Sequence, residues 1–256
     1  MKKISAVIIT YNEEKNIERC LRSLQGVADE ILVVDSYSTD ATKSICATFG
    51  VRFLQHPFEG HIQQKNYAMA QAQYNWVLSL DADEVLSEAL QQSILSAKQQ
   101  KEGWAGAKMN RLSSYCGHWI RHCGWYPDRK LRLWNREKGE WGGENPHDKV
   151  VMQEGTSTIL LKGDLLHYTY HTLSEHIRQM DKFSEIAAQE AYRKGKKVFP
   201  LWDLWLYPSF VFFKMFILKR GFLDGYYGWI VCKNGAYYRF LKYLKLNELY
   251  RQEKGN

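Results

Sequence analysis

Asp81 and Asp83 stand one residue apart at the end of the run Trp76-Val77-Leu78-Ser79-Leu80. That run is short, apolar and bounded by polar residues, the pattern of a buried strand. Ligands of parallel α/β sheets bind beyond the carboxyl ends of the strands. Two carboxylates placed there can hold a hard divalent cation and a ribose hydroxyl. Mg²⁺ or Mn²⁺ in that position bridges a diphosphate, the leaving group of a sugar nucleotide. A solvated acidic turn capping the next helix is the plainer reading, and the adjacent Glu84 and the strand in front weigh against it. Asp35 ends the run Glu30–Asp35 in the same way, near Thr10 and Tyr11. Tyr11 can stack on a pyrimidine while Asp35 accepts its imide proton. Alternatively, Asp35 only opens the turn through Asp40 and caps a helix.

These residues need a sheet to position them. Residues 4–9, 30–35, 51–54 and 76–80 read as strands, each rich in β-branched or aliphatic residues. Between them, Asn12 can cap a helix that carries Ile17, Cys20, Leu21 and Leu24 at i, i+3, i+4 and i+7, closed by Gly26. Ser38 or Thr39 can cap the next, with Ala41, Ile45 and Phe49 inward. A third helix runs through Lys65–Ala72, and Ser87 caps a fourth with Leu90, Ile94 and Leu95 inward. This alternation implies an α/β fold, a mostly parallel Rossmann-like sheet flanked by helices with right-handed crossovers. After Gly103 the pattern turns to Gly, Trp and Arg, with strand-like pieces at Lys130–Trp134 and Ser157–Leu161. Thr172–Arg193 reads as a helix.

Charge divides the chain. From Tyr192 onward 13 Lys or Arg face 4 Asp or Glu, whereas the residues before it are slightly acidic. Residues 199–243 also hold 16 of the 36 aromatics. Lys196, Lys197, Lys214, Lys219 and Arg220 stand among Trp202, Trp205, Tyr207, Phe210, Phe212, Phe213 and Phe216. Aromatics in runs with Leu, Ile, Val and Met favour a lipid surface over nucleic acid. Packing on the catalytic domain or a dimer contact is the alternative. Asp203 and Pro208 interrupt the most apolar run, so surface attachment is expected and a spanning helix is not. The five cysteines are scattered without a CxxC pair, as expected of reduced thiols in a cytoplasmic protein, and the chain opens on a strand with no secretory segment. Two domains are expected, 1–170 and a helical, aromatic and basic extension over 171–256.

Val7-Ile8-Ile9-Thr10-Tyr11-Asn12-Glu13, Ile31–Asp40, Gln64-Lys65-Asn66 and Trp76–Glu84 together resemble the motifs of family 2 glycosyltransferases, in order and at family spacing over about the first 100 residues. Trp125-Tyr126-Pro127-Asp128, Arg132-Leu133-Trp134, Pro146-His147-Asp148, Leu166-His167-Tyr168 and Gly221–Gly225 resemble a narrower branch, the bacterial lipopolysaccharide and lipooligosaccharide inner-core glucosyltransferases. The resemblance implies a GT-A fold and an inverting enzyme. Its implied donor is UDP-glucose, its acceptor a core heptose, and its place the cytoplasmic face of the inner membrane, attached peripherally.

The resemblance also implies roles. Thr10, Tyr11, Glu13 and Asp35 would contact the uridine, Lys65 the uracil or diphosphate, Asp81 the ribose or sugar, and Asp83 the metal. Ser36 stands where many members have a second Asp. Inversion needs a carboxylate to deprotonate the acceptor hydroxyl, and Glu144 and Asp148 offer two. Asp148 is preferred, although the narrower branch usually has Glu there, one methylene longer. His167 at a strand end can be a further metal ligand or simply a packed residue. Arg129, Arg132 and Arg136 can hold phosphates or lie in a solvated basic loop. A nucleotidyltransferase would open on a glycine-rich loop, which Ile9–Glu13 lacks. A non-catalytic adaptor has no need of an intact Asp81 and Asp83. The motifs do not read which sugar is transferred.

Overall fold

The computed structural model describes residues 1–100, 103–144 and 147–255. By its internal contacts the chain forms two compact units: residues 1–112 with 128–168, and residues 113–127 with 169–256. The segment 113–127, read from sequence with the first domain, thus clusters with the C-terminal residues.

In the first unit, β1 (Ile4–Thr10), α1 (Ile17–Leu24), β2 (Glu30–Asp35), α2 (Thr42–Thr48), β3 (Arg52–Gln55), α3 (His61–Ala70) and β4 (Trp76–Asp81) follow in the expected alternation. The four strands are parallel in the order β3-β2-β1-β4. Next along the chain come β5 (Glu84–Leu86), α4 (Glu88–Gln99), β6 (Gly106–Tyr115), β7 (His118–Trp119), β8 (Asp128–Asn135), the antiparallel ribbon β9 (Gly139–Glu144) and β10 (His147–Met152), and β11 (Thr158–Tyr170), of which β7 and the last residues of β6 and β11 belong to the second unit. The sheet continues past β4 through β8, β6, β11 and β5, with β8 antiparallel to β4.

Alternation along β1 divides the core. Ile4, Ala6 and Ile8 pack with Ile17, Cys20, Leu21 and Leu24 of α1 and with Leu90 and Ile94 of α4. Val7 lies on the other face with Leu32, Val34, Ala68, Trp134 and Trp141. A parallel sheet covered on both faces needs strands that are mainly apolar, as β1, β2 and β4 are apart from the buried Ser5 and Ser79, whereas the edge strand β3 is exposed at Arg52 and Gln55.

Two caps differ from the sequence reading. Asn12 adopts φ 55° and does not cap α1, which begins at Ile17. Its side-chain oxygen accepts the Thr39 N–H at 2.9 Å, and its own N–H donates to Ser38 Oγ at 2.8 Å. Ser38 and Thr39 are thereby engaged in tying the loops after β1 and β2 together, and α2 starts only at Thr42. Short polar side chains hydrogen-bond local backbone, so a cap and a loop tie compete for the same residue. Ser87 caps α4 as expected.

The second unit holds α5 (Leu173–Arg193), opened by a capping box of Thr172 and Glu175, and α7 (Gly225–Gly255), with a helical run Leu201–Leu218, here α6, between them. Sequence reading broke the last run at Asp203 and Pro208. The structure carries the helix through both, and among the described residues it is one helix long and apolar enough to cross a membrane. Asp203 is buried and accepts the Phe199 N–H at 2.8 Å, so its carboxylate serves the turn before the run. The helix is widened to π geometry over Leu201–Leu206, just ahead of Pro208, whose ring nitrogen has no N–H to give. The five cysteines are free, and the Sγ atoms of Cys123 and Cys232 lie 3.6 Å apart in the core of this unit.

Gly163 lets β11 pass over the start of α4. Its φ is +92°, and an added Cβ would sit 2.3 Å from the Leu90 nitrogen. Hydrogen bonds from Asp164 N to Ser87 Oγ (3.0 Å) and from Lys162 N to Ser93 Oγ (3.0 Å) hold the approach. Gly163→Ala is therefore expected to cost more than about 2 kcal/mol, combining a strained φ with a backbone clash. Urea denaturation will show this as a lowered midpoint, and an unchanged midpoint would contradict so close a crossing.

Candidate active site

Parallel pairing brings three strand ends to one edge. Thr10 lies in register with Asp35, and Ile9 with Asp81. A cavity of about 330 Å³ opens there, lined by Thr10, Tyr11, Glu13, Asp81, Asp83 and His167. Ser36, Phe58 and His61 also line it. Tyr11 is 59% exposed, a free ring for stacking. Asp35 is fully buried. Thr10 Oγ1 (3.0 Å), Ser38 N (2.9 Å), Ser38 Oγ and Gln55 Nε2 (3.3 Å) all donate to its carboxylate, so it fixes the loop that presents Ser36. Gln64 Nε2 donates to Ser36 Oγ at 3.1 Å. Phe58 and His61 belong to no motif with a spacing of its own, so nothing in the sequence marks them as part of this lining.

Each residue of Gln64-Lys65-Asn66 on α3 has a different duty. Gln64 holds Ser36. Asn66 is paired with the Trp141 backbone in both directions, donating at 2.8 Å and accepting at 3.0 Å, which fastens β9 to α3. Lys65, almost fully buried, places its Nζ 3.0 Å from Asp81 Oδ1 and 2.8 Å from Asp148 Oδ2, over the Trp141 ring. Arg132 on β8 grips the other Asp81 oxygen at 2.8 Å and Glu84 Oε1 at 2.6 Å. Glu84 is wholly buried and also accepts the Asp81 N–H at 3.1 Å. Burial opposes ionisation of Asp81, but Lys65 and Arg132 outweigh it and hold the carboxyl well below the usual carboxylate range. Arg132 is likewise kept cationic against its burial by Glu84 and Asp81.

The three arginines proposed for phosphates therefore part company. Arg132 is an internal anchor. Arg136 closes the end of α3, donating to the carbonyls of Met69 (3.0 Å) and Ala72 (2.8 Å). Arg129 lines a second, larger cavity of about 700 Å³, which it shares with Lys65, Asp81, Trp141 and Asp148. Asp81 lines both cavities. The Asp148 oxygen not held by Lys65 has no partner among the described residues. Glu144 pairs with His147 through the backbone, and its side chain lies outside the described residues.

Pairing of His167 with Glu84, and the Tyr168 N–H to the Asp83 carbonyl at 3.0 Å, sets β11 beside the acidic turn. His167 Nε2 lies 3.2 Å from Asp83 Oδ2. One carboxylate and one imidazole at a cavity wall are a fitting donor set for Mg²⁺ or Mn²⁺, with further positions left for phosphate oxygens and water. Among the described residues no group of three such side chains converges. Burial raises the Glu13 carboxyl, and the charges of Asp83, Asp40 and Asp81 push the same way against a hydrogen bond from Asn16.

The chain is similar to known proteins over most of its length. A model of glycosyl transferase family 2 matches residues 5–160. An uncharacterized glycosyltransferase of Rickettsia typhi is 32% identical over 258 residues, spanning 97% of this chain and 88% of that protein. The lipopolysaccharide core biosynthesis glycosyltransferase LpsC of Rhizobium meliloti is 30% identical, spanning 95% and 91%. Among solved structures, the mannosyltransferase PcManGT from Pyrobaculum calidifontis, in complex with GDP-Man and Mn²⁺, superposes with a TM-score of 0.53 at 14% identity, covering 95% of this chain and 86% of that one. That likeness is one of fold. By the family match and by its identity to near-full-length relatives, this chain belongs to glycosyl transferase family 2 and is a glycosyltransferase of the GT-A fold.

Proposed function

We propose that the protein is an inverting hexosyltransferase that moves glucose from UDP-glucose to a heptose of a lipopolysaccharide core. The observation that carries this reading is the position of Asp81 between two cavities. One offers Tyr11 and the Asp83–His167 pair, and the other offers Asp148. Relatedness to LpsC supports the acceptor class.

In this reading Tyr11 stacks on the uracil, and Thr10 and Ser36 border the nucleoside. Lys65 and Arg132 fix the Asp81 carboxylate, so that it meets the sugar or ribose in one geometry and stays ionised. Asp83 and His167 would hold Mg²⁺ or Mn²⁺, which when bound neutralises charge developing on the diphosphate. Asp148 takes the proton from the acceptor hydroxyl. The acceptor oxygen then bonds to the anomeric carbon as the bond from that carbon to the diphosphate breaks, and UDP leaves from the opposite side. Asp148 holds the proton at the end of the step.

Asp148→Asn keeps the shape and loses the basicity. Turnover is expected to fall by roughly 10²–10⁴-fold with UDP-glucose affinity retained. A dead Glu144→Gln beside an active Asp148→Asn would reassign the base. Asp83→Ala is expected to abolish transfer and the response of UDP release to added Mg²⁺ while leaving the fold intact. Full activity of Asp83→Ala in excess chelator would remove the metal from the reaction. A panel of UDP-sugars on core-truncated lipopolysaccharide reads the donor directly.

The second unit is proposed to dock on the cytoplasmic face of the inner membrane. On α6, Trp202, Leu206, Phe210, Phe213 and Ile217 recur at three- and four-residue intervals, and all are exposed, as are Leu201 and Trp205. This makes one apolar stripe along the helix. Lys214, Lys219 and Arg220 are exposed on the same stretch, and each cation near an anionic surface contributes about 1 kcal/mol. Sedimentation with anionic vesicles is expected to weaken as salt rises without vanishing, because screening acts on the charged share alone. Protein left in the supernatant at low salt contradicts docking, and protein that resists alkaline extraction indicates a spanning α6.

A further inference from the structure

The larger cavity is far more basic than transfer to a neutral sugar requires. Seven cationic side chains line it against two carboxylates, Asp81 and Asp148. Four of the seven are already engaged. Lys65 and Arg132 serve the carboxylates described above. Arg111 reaches Asp128 at 2.7 Å, and Lys130 reaches the same residue at 3.1 Å. Lys108, Arg129 and Lys149 line the cavity with no partner among the described residues.

These three come from three separate strands. Lys108 is on β6, opposite Leu131 of β8, and follows the bulge at Ala107/Lys108. Arg129 lies on β8 opposite Asn110, and Lys149 lies on β10 opposite Gly142. A solvated basic run would put its charges along one element, whereas here three strands bring them to one concavity. The wall carries further unused donors. Arg132 Nε and Trp141 Nε1 are buried without an acceptor among the described residues. Like charges gathered in a cleft focus a positive potential. An oxyanion is the ligand that relieves it, with the Arg fork and two Lys point charges as donors.

We infer that this cavity is an anion subsite that holds a phosphate or carboxylate group carried by the acceptor saccharide, next to Asp148. The inference rests on the glycosyltransferase reading and adds the chemical class of the acceptor. A charged substituent on the saccharide sits among Lys108, Arg129 and Lys149 and delivers a nearby hydroxyl to the base. A neutral saccharide leaves those cations unpaired and is discriminated against for that reason.

The test uses the full chain, with lipopolysaccharide from a core-truncated strain as the probe. It is presented native, stripped of phosphate with hydrogen fluoride, or with its carboxylates reduced. The variants are Lys108→Gln, Arg129→Gln and Lys149→Gln, single and combined. Each single change is expected to raise the KM for native acceptor roughly tenfold, the size of one charge-assisted hydrogen bond. The triple variant should raise it further, with the Kd for UDP-glucose unchanged. Acceptor KM of the wild type should rise more steeply with salt than that of the triple variant, whose remaining response comes from docking, a difference that mere loss of structure does not produce. Arg129→Lys should recover part of the loss. Whichever chemical treatment makes wild type behave like the triple variant identifies the group as phosphate or as carboxylate.

The inference is overturned if the triple variant keeps the wild-type KM, or if wild type uses both treated acceptors as well as the native one. It is also overturned if the triple variant loses UDP-glucose affinity, since the cavity would then serve the donor. A wild type that transfers normally while the variants change nothing sinks this inference alone. A wild type that binds no UDP-sugar sinks the proposed function and this inference with it.

Discussion

Arg132 holds two carboxylates at once, Glu84 at 2.6 Å and Asp81 at 2.8 Å, with only 4% of its surface exposed. Taking such charges out of water costs several kcal/mol per ion, and the cost is offset only when geometry and partners are nearly complete. The chain of contacts meets that condition. Glu84 also accepts from the Asp81 backbone and lies 3.6 Å from Arg111, while Lys65 continues the chain from Asp81 to Asp148. Removing Arg132 leaves the wholly buried Glu84 with only Arg111, at 3.6 Å, to balance its charge. The acidic turn, α3, β8 and the β9–β10 ribbon are thus fixed to one another by a single alternating row of charges. Packing could not achieve this, because apolar contacts tolerate small slips that a hydrogen-bonded ion pair does not.

Much of this arrangement is legible in the sequence. The strand ends at Thr10, Asp35 and Asp81 and the helix stripe from Ile17 to Leu24 follow from periodicity, because a parallel sheet covered on both faces writes itself as mainly apolar runs. The pairing of His167 with Asp83 joins distant parts of the chain, and sequence reading puts them together only as candidate ligands of one metal, not through strand periodicity. What sequence left out is the work of residues that face inward. Arg132 reads as a loop cation and turns out to be an anchor, and Glu84 reads as an accessory to its neighbours and turns out to be the most buried member of the row. Charge in a sequence carries no sign of its depth. Asn12, Ser38 and Thr39 read as helix caps and instead tie two loops together. A cap and a loop tie use identical atoms, and only the neighbouring loop decides between them.

The second unit sorts its aromatics by direction. Phe212 and Phe216 pack with Tyr115, Cys123 and Cys232, and Tyr207 packs against Tyr243 and Leu246. Trp202, Trp205, Phe210 and Phe213 remain outside. Composition shows an aromatic-rich tail, and it takes the helix to split that tail into a core and an unpartnered stripe. The π turns at both ends of α6 belong to this division. They alter the angular step per residue and thereby set which side chains fall on which side.

The sharing of Asp81 between two cavities has a consequence for genetics. A residue that borders one compartment gives alleles whose phenotype names that compartment. In the proposed function, a residue that borders both, as Asp81 does, gives alleles whose defects are compound, with donor and acceptor saturation moving together. The informative alleles lie one step away on either side, at Tyr11 or His167 and at Arg129 or Lys149, where a single curve shifts and the two halves of the site can be read apart.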